Sequence, residues 1–257
     1  MRTSVHMEKG LEYMVRGGLN GSNLLAALRI DDQARLAEHM DDVSYGLGHV
    51  FYEPGMNVKY AYFPRYDAVS SFHVIMADGA AVETAMVGRE GAVGGIVSNG
   101  RLPAYARSCV MHGGQFYRIT LSDLDYVKKD SAQMRYLFAR YADCLVAQIF
   151  QSVACNASHT IERRAAKWLT AAMDRTGKDE VSMTQDQLGS LLGVGRTYVS
   201  RIIKRMKDNG TIMTRRGGIM IKRRDQLDHM SCDCNRLVAD HFATVLKGIY
   251  PDATDGH

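Results

Sequence analysis

The stretch "LLGVGRTYVSRIIKRMKDNG", Leu191 to Gly210, limits the possible folds of this chain more than any other. On a helical wheel advancing ~100° per residue, Val199, Ile202, Ile203 and Met206 cluster on one side as a stripe for a core. Thr197, Ser200, Arg201 and Lys204 fall on the opposite side, and Arg196 sits in the first turn, where its length lets it reach past the helix end. No acid precedes Asp208 in this helix, whereas a helix that only faces water more often mixes Glu with its Lys. Short hydrogen-bonding residues interspersed with long cations suit a groove of nucleic acid.

The neighbours of this segment agree with that use. Thr184 opens "TQDQLGSLLG" with Gln187 three residues on, a capping-box pattern. Leu188, Leu191 and Leu192 form the buried side of this first helix, and Gly193 ends it. A capped helix, a tight glycine turn and a second amphipathic helix make a helix-turn-helix, whose second helix enters the major groove with its N-terminal residues at the base edges. Arginine suits guanine there, because its fork donates to O6 and N7 together. After Gly210, "TIMT" and "IMIK" flank Arg215-Arg216-Gly217-Gly218, which reads as a hairpin whose basic tip meets phosphate through Arg215 and Arg216. Charge follows the same division. Residues 160–224 hold fifteen Lys/Arg against six Asp/Glu, a balance of +9 in a chain whose total is +4, so the remainder stands at −5. A basic module joined to a mildly acidic one predicts double-stranded DNA as the partner.

Residues 1–22 are rich in glycine and charge and read as a flexible N-terminus. Short helices are expected at "LLAAL", behind Asn23, and at "DDQARLAEHM". From about Gly46 to Thr120, short runs such as "VKYAYFP", "SSFHVIMADG" and "QFYRITL" alternate with Gly, Pro and Asp, the texture of a β sandwich, roll or barrel. The pattern then lengthens. "AQMRYLFARYADCLVAQIFQSVACNA" has neither Gly nor Pro and carries apolar residues at Met134, Phe138, Tyr141, Leu145, Ile149 and Val153, which predicts one long helix. Leu137, Val146 and Phe150 widen the apolar surface beyond one face. Packing against its own β domain accounts for one such face, and the need to bury a second favours a dimer seam along Met134, Phe138, Tyr141, Leu145 and Ile149 over purely internal packing, making the chain a homodimer. A final helix is expected within "DQLDHMSCDCNRLVADHFATVL".

The five cysteines are scattered and odd in number, unlike a secreted disulfide framework. The C-x-C of Cys232 and Cys234 has His229 and His241 nearby but lacks the second pair that a closed zinc site needs, so no metal site is expected. The N-terminus does not read as a signal peptide, and no apolar run reaches the ~18 residues of a membrane span. The expected location is the cytoplasm, with no membrane partner.

The match "MTQDQLGSLLGVGRTYVSRIIKRMKDNGTI" resembles the Crp/Fnr transcription regulators, and the order of β-rich domain, long helix, helix-turn-helix and hairpin extends the likeness over nearly all of the chain. "FYEPG", "YFP", "VGREGAVGG", "ACNASHTIERRAAKWL" and "SCDCNRLV" resemble a proteobacterial subgroup of that family. The resemblance implies an α+β chain: a cyclic-nucleotide-binding-like β-roll over 23–127, a dimerisation helix over 128–158, and a winged helix-turn-helix domain with a C-terminal helix over 159–257. It also implies a homodimer that reads a two-fold symmetric site and works with RNA polymerase. Arg196 and Arg201 fall where the cAMP-responsive member has arginines, and Ser200 with Arg201 matches a Ser-Arg pair of the oxygen-responsive member. Thr197 departs from both, because the family usually has Glu there to accept from cytosine N4, so the half-site is expected to differ. Gly195 replaces the usual Ser/Thr helix cap.

The family's cyclic-nucleotide pocket pairs a Gly-Glu segment, for the ribose, with Arg-Ser or Arg-Thr, for the phosphate. This chain has Gly91-Ala92 and Arg107-Ser108, so the phosphate half is present and the ribose acceptor is missing. An unmatched ribose hydroxyl costs about 1–3 kcal/mol, so cAMP and cGMP are not favoured as effectors, no cofactor is expected to be required, and Arg107 has a structural alternative in pairing with an acid of its own domain. The iron–sulfur sensor of the family needs N-terminal cysteines, and Cys109 is the first here. A haem ligand from His73 or His112 is disfavoured as well. Two other readings remain open. A metal-dependent β-barrel enzyme fused to a DNA-binding tail would want closely spaced histidines, but His49, His73 and His112 lie far apart and no H-x-H occurs. A DNA-binding protein whose β domain senses nothing would bind DNA independently of any metabolite. No enzymatic activity is expected.

Overall fold

The computed structural model of the chain describes residues 18–98, 100 and 102–247. Most of the segment expected to be flexible, residues 1–17, lies outside the described residues. Its end is packed: Leu19 and Ser22 are both buried, so the folded part of the β domain begins before Asn23. The short helices α1 (Asn23–Ala26) and α2 (Ile30–Ala37) follow, with Leu24, Leu25 and Leu36 in the core.

Seven strands then build the β domain: β1 (Asp41–Tyr45), β2 (Val50–Tyr52), β3 (Tyr60–Pro64), β4 (Val69–Ile75), β5 (Ala81–Val87), β6 (Arg107–His112) and β7 (Gly114–Thr120). They pair antiparallel in two sheets, ordered β1-β7-β3 and β2-β6-β4-β5. Aromatic residues join the sheets across the core. Phe51 of β2 stacks on Tyr62 of β3 at 4.2 Å and meets Phe116 of β7 edge-on at 5.5 Å, arrangements that favour offset or perpendicular rings.

The helical run after β7 is interrupted. Helix α3 (Leu121–Lys129) is capped by Thr120, and the long helix α4 runs over Ala132–Ser158 rather than starting at 128. Ser131 explains the break: its hydroxyl accepts from the Met134 backbone N–H at 3.1 Å and donates to the buried Asp32 carboxylate at 2.8 Å. The serine that caps the new helix is thus held by α2.

Helix α4 also corrects the expected dimer seam. Met134, Phe138 and Tyr141 are 0%, 1% and 2% exposed, buried against the β domain of their own chain. Phe138 packs near Phe63 of β3, and a Cβ on Gly91 would overlap the Tyr141 ring. Leu145 is partly buried against the same core. The outward stripe is Val146, Ile149, Phe150 and Val153, with Phe150 69% and Val153 64% exposed. One helix with two apolar faces has to bury one of them in its own chain, and spacing alone does not say which.

Residues 159–247 form a winged helix-turn-helix unit: α5 (Ile161–Thr176), β8 (Glu180–Val181), α6 (Gln185–Leu192), α7 (Arg196–Asp208), β9 (Ile212–Arg215), β10 (Gly218–Ile221), α8 (Arg224–Met230) and α9 (Cys234–Val245). Leu188, Leu191 and Leu192 of α6 meet Val199, Ile202, Ile203 and Met206 of α7 in one core. Gly189 lets the two helices approach, since a Cβ there would lie 2.9 Å from the Val194 carbonyl and 3.4 Å from Val199. The antiparallel hairpin β9–β10 pairs Arg215 with Gly218, so Arg216 and Gly217 form its tip, with Gly217 at φ 76°.

This unit docks on the outer sheet of the β domain. Val69 of β4 and Met86 of β5 share its core. Trp168 Nε1 donates to Glu83 Oε2 at 2.8 Å, Arg175 pairs with Glu90 at 2.9 Å, and Lys178 pairs with Asp67 at 2.5 Å, while Gln148 of α4 donates to the Met86 carbonyl at 3.0 Å. Desolvation raises the Glu83 carboxyl above its ordinary value against the opposing pull of Trp168, Lys167 and Arg175. A raised carboxyl pKa favours the folded, protonated form at low pH, and this contribution is lost as pH rises through the folded-state value. Glu83→Gln keeps an acceptor for Trp168 without the charge. Its melting temperature is therefore expected to exceed that of the parent chain at neutral pH and to converge with it in acid, measured by thermal unfolding across pH. A gap that widens in acid would contradict this assignment.

Candidate nucleic-acid interface

The capping box of α6 is present in full: the Thr184 hydroxyl accepts from the Gln187 N–H at 3.2 Å, and Gln187 Oε1 accepts from the Thr184 N–H at 2.8 Å. Gly193 ends α6 in the left-handed conformation at φ 69°, and α7 starts at Arg196 behind Gly195, which supplies no side-chain cap. The first N–H groups of α7 are therefore left to outside acceptors at the positive end of the helix dipole, an arrangement that favours anions.

Arg196, Thr197, Arg201 and Lys204 are exposed, as are Arg215 and Arg216 on the hairpin. Ser200 is partly buried, and its hydroxyl donates to Gln185 Oε1 at 2.8 Å, which ties the outer face of α7 to the start of α6. Arg196 Nη1 lies 3.2 Å from Asp186 Oδ2, and the Arg201 guanidinium stands 5.1 Å from the centre of the Tyr198 ring. Gln185, Asp186 and Tyr198 were absent from the residues expected at this face. Tyr198 had a legible signal, an aromatic outside the apolar stripe. The roles of Gln185 and Asp186 depend on how α6 crosses α7.

The contrast drawn from the lack of acids within α7 is weaker in three dimensions. Asp186 serves Arg196, Glu162 serves Arg205 at 2.6 Å, Asp208 serves Lys204 at 3.0 Å, and Glu180 lies 3.9 Å from Arg215. These are solvent-facing pairs worth about 0–1 kcal/mol each, so phosphate competes with them easily. They hold the long side chains near useful positions without neutralising the surface for a polyanion. Arg201 and Arg216 have no carboxylate partner among the described residues.

The residues expected to hold a ligand have other occupations. Arg107 Nε is 2.9 Å from Glu53 Oε2, the acid of its own domain that the sequence reading allowed for. Ser108 is the exception: it is buried in β6 between β2 and β4, and its hydroxyl has no hydrogen-bond partner among the described residues. Tyr141 covers Gly91, and its hydroxyl donates to the Ala92 carbonyl at 3.4 Å. The β-domain histidines do not converge on one another. Burial holds His73 down to about 4, with its Nε2 2.5 Å from Ser71 Oγ, while His112 lies 3.7 Å from Asp67 and 3.1 Å from Lys178. A cleft of about 470 Å³ instead opens where the two units meet, bounded by Glu83 and Met86 of β5, Gln148 and Gln151 of α4, Trp168 of α5 and Phe242 of α9.

A second cluster was not anticipated. Cys155, His159, Cys232 and Cys234 bring their ligating atoms within 4.8 Å of one another. The expectation of no metal site rested on the lack of a second ligand pair near the C-x-C, for which only His229 and His241 were close in sequence. Both histidines are exposed, and His229 Nδ1 donates to the Asp225 carbonyl at 2.6 Å. The actual neighbours lie about 75 residues upstream, at the end of α4. Burial pushes the Cys155 thiol up to about 12.

Residues 163–230 match the Crp-like helix-turn-helix domain. The fold is similar to FixK2 from Bradyrhizobium japonicum, with 18% identity over 75% of this chain and 98% of that one and a TM-score of 0.61. It is also similar to CLP, a c-di-GMP responsive global regulator of Xanthomonas campestris, at 13% identity over 75% and 99% with a TM-score of 0.62. A CRP-family transcriptional regulator of Thermus thermophilus, TTHB099, aligns at 12% identity over 74% and 96% with a TM-score of 0.63. No curated protein matches the sequence. An exposed cationic second helix, a basic wing and the matched model identify residues 163–230 as a Crp-like helix-turn-helix DNA-binding domain, carried on a fold similar to that of Crp/Fnr-type regulators.

Proposed function

We propose that the protein acts as a homodimer that reads a two-fold symmetric DNA site and responds to a small effector. The observation that carries this reading is the stripe Val146, Ile149, Phe150 and Val153, which runs along α4 at steps of three and four and is exposed in the single chain. Self-association along this stripe removes apolar area from water at ~25 cal/mol per Å² and sets two copies of α7 side by side. Half-sites one turn apart require recognition helices ~34–36 Å apart, so any change at the junction of α4 with the DNA-binding unit alters DNA affinity. Action is in the cytoplasm, with RNA polymerase as the partner at a promoter, and requires no catalysis.

Effector control is supported by the cleft at the domain junction, whose volume falls within the ~300–1,000 Å³ range of small-molecule sites. The Arg107–Glu53 pair gives Arg107 a partner in its own domain, and the missing ribose acceptor at Ala92 disfavours a cyclic nucleotide there. Trp168, the one tryptophan of the chain, borders the cleft, so its fluorescence reports on occupancy.

Three outcomes are expected. Arg196→Ala loses about 1–3 kcal/mol of specific binding and relaxes preference at one G·C pair, whereas Arg216→Ala weakens all sequences alike, as read by binding-site selection and titration at fixed salt. A change of base preference in Arg216→Ala would refute the hairpin assignment. Phe150→Asp yields monomer by sedimentation while retaining the parental circular dichroism; a dimer in that variant would move the seam elsewhere. Calorimetric titration with cAMP and cGMP into the millimolar range gives no heat of binding, and saturable binding would restore the nucleotide site at Arg107.

A further inference from the structure

We propose that Cys155, His159, Cys232 and Cys234 bind one zinc ion, which locks the hinge between the long helix and the DNA-binding unit. Cys155 Sγ and Cys232 Sγ are 3.7 Å apart, and Cys234 Sγ is 3.5 Å from His159 Nδ1. A tetrahedral ion with Zn–S of ~2.3 Å and Zn–N of ~2.0–2.1 Å has edges of ~3.8 Å between sulfurs and ~3.5 Å between sulfur and nitrogen. These two edges match those of one such site, and all four ligating atoms lie within 4.8 Å of one another. All corners within 4.8 Å leave room for a single ion and too little for a multi-iron core. A disulfide would need its sulfurs at ~2.05 Å, far closer than the 3.7 Å observed between Cys155 and Cys232.

The surroundings match the charge of the site. Three thiolates and a neutral imidazole around a divalent cation carry a net single negative charge, which is costly to bury without a counter-ion. Arg164 is buried beside them, within electrostatic reach of Cys155 and Cys232, and its Nη2 donates to the Leu192 carbonyl at 3.1 Å. Gln151 Nε2 lies 3.2 Å from Cys234 Sγ and donates to it, the kind of outer contact that orients a metal-bound sulfur. Through Arg164 the cluster reaches the end of α6.

The position gives the ion a mechanical role. Cys155 lies in the last turn of α4 and His159 is its C-cap, one residue before Thr160 caps α5. Cys232 and Cys234 lie at the turn from α8 into α9, which packs back along α4 with Phe242 against Tyr141. One ion would therefore pin the hinge to the C-terminal helix of the same chain.

The test uses the full chain purified under reducing conditions without chelators. Elemental analysis is expected to find one zinc per chain. Exchange with cobalt should give the visible absorption of a tetrahedral thiolate site. Cys234→Ser and His159→Asn should each lose stoichiometric zinc, and Cys109→Ser, on β6 and outside the cluster, should keep it. Gln151→Ala retains all four ligands and guards against a folding artefact; it should bind zinc about 10–100-fold more weakly. A chain that is metal-free as isolated and takes up no cobalt with its thiols reduced would overturn the proposal. So would stoichiometric iron, a Cys155–Cys232 disulfide, or unchanged zinc in both ligand variants. None of these readouts depends on DNA binding.

Discussion

Burial of the inner face of α4 against the β domain is the interaction on which the rest of the structure depends. Met134, Leu137, Phe138 and Tyr141 enter the same core as Phe63 and Phe116, and full burial of side chains of this size contributes about 1.5–3 kcal/mol each. That anchorage fixes the rotation of the helix about its axis. It also decides which apolar residues remain outside and where Cys155 and His159 emerge at the far end. Gly91 is part of the same constraint, because the Tyr141 ring occupies the space that a side chain there would need.

The DNA-binding unit is attached by two different kinds of contact. Its own core is apolar and self-contained, with α6 and α7 closed on one another at Gly189. Its seat on the β domain mixes that core, through Val69 and Met86, with polar pairs at Glu83, Glu90 and Asp67. Such a seam contains charges whose strength depends on local desolvation, and it borders a cleft.

The exposed face of α7 carries weakly restrained cations. Arg196 and Lys204 have acidic neighbours in solvent, and Arg201 rests on Tyr198. Surface pairs of this kind are screened by salt and exchange readily for phosphate. The helix thus combines a rigid buried stripe with side chains free to rearrange on DNA.

Much of this was legible in the residues themselves. The stripe of α7, the capping box of Thr184 and Gln187, the glycine stop at Gly193 and the basic hairpin are local patterns set by the 3.6-residue period and by backbone conformation, and they determined the helix-turn-helix and which face of α7 stays exposed without any long-range information. Three matters required the tertiary structure. Which face of α4 lies inward was undetermined, because Met134 and Phe150 look alike until a β domain claims one of them. The state of Arg107 depended on Glu53, 54 residues away. The partners of Cys232 and Cys234 were sought among near neighbours, yet Cys155 and His159 come from across the chain. Periodicity reports on what a segment does alone; the meeting of distant side chains is decided by how the elements pack, and there the fold alone supplied the answer.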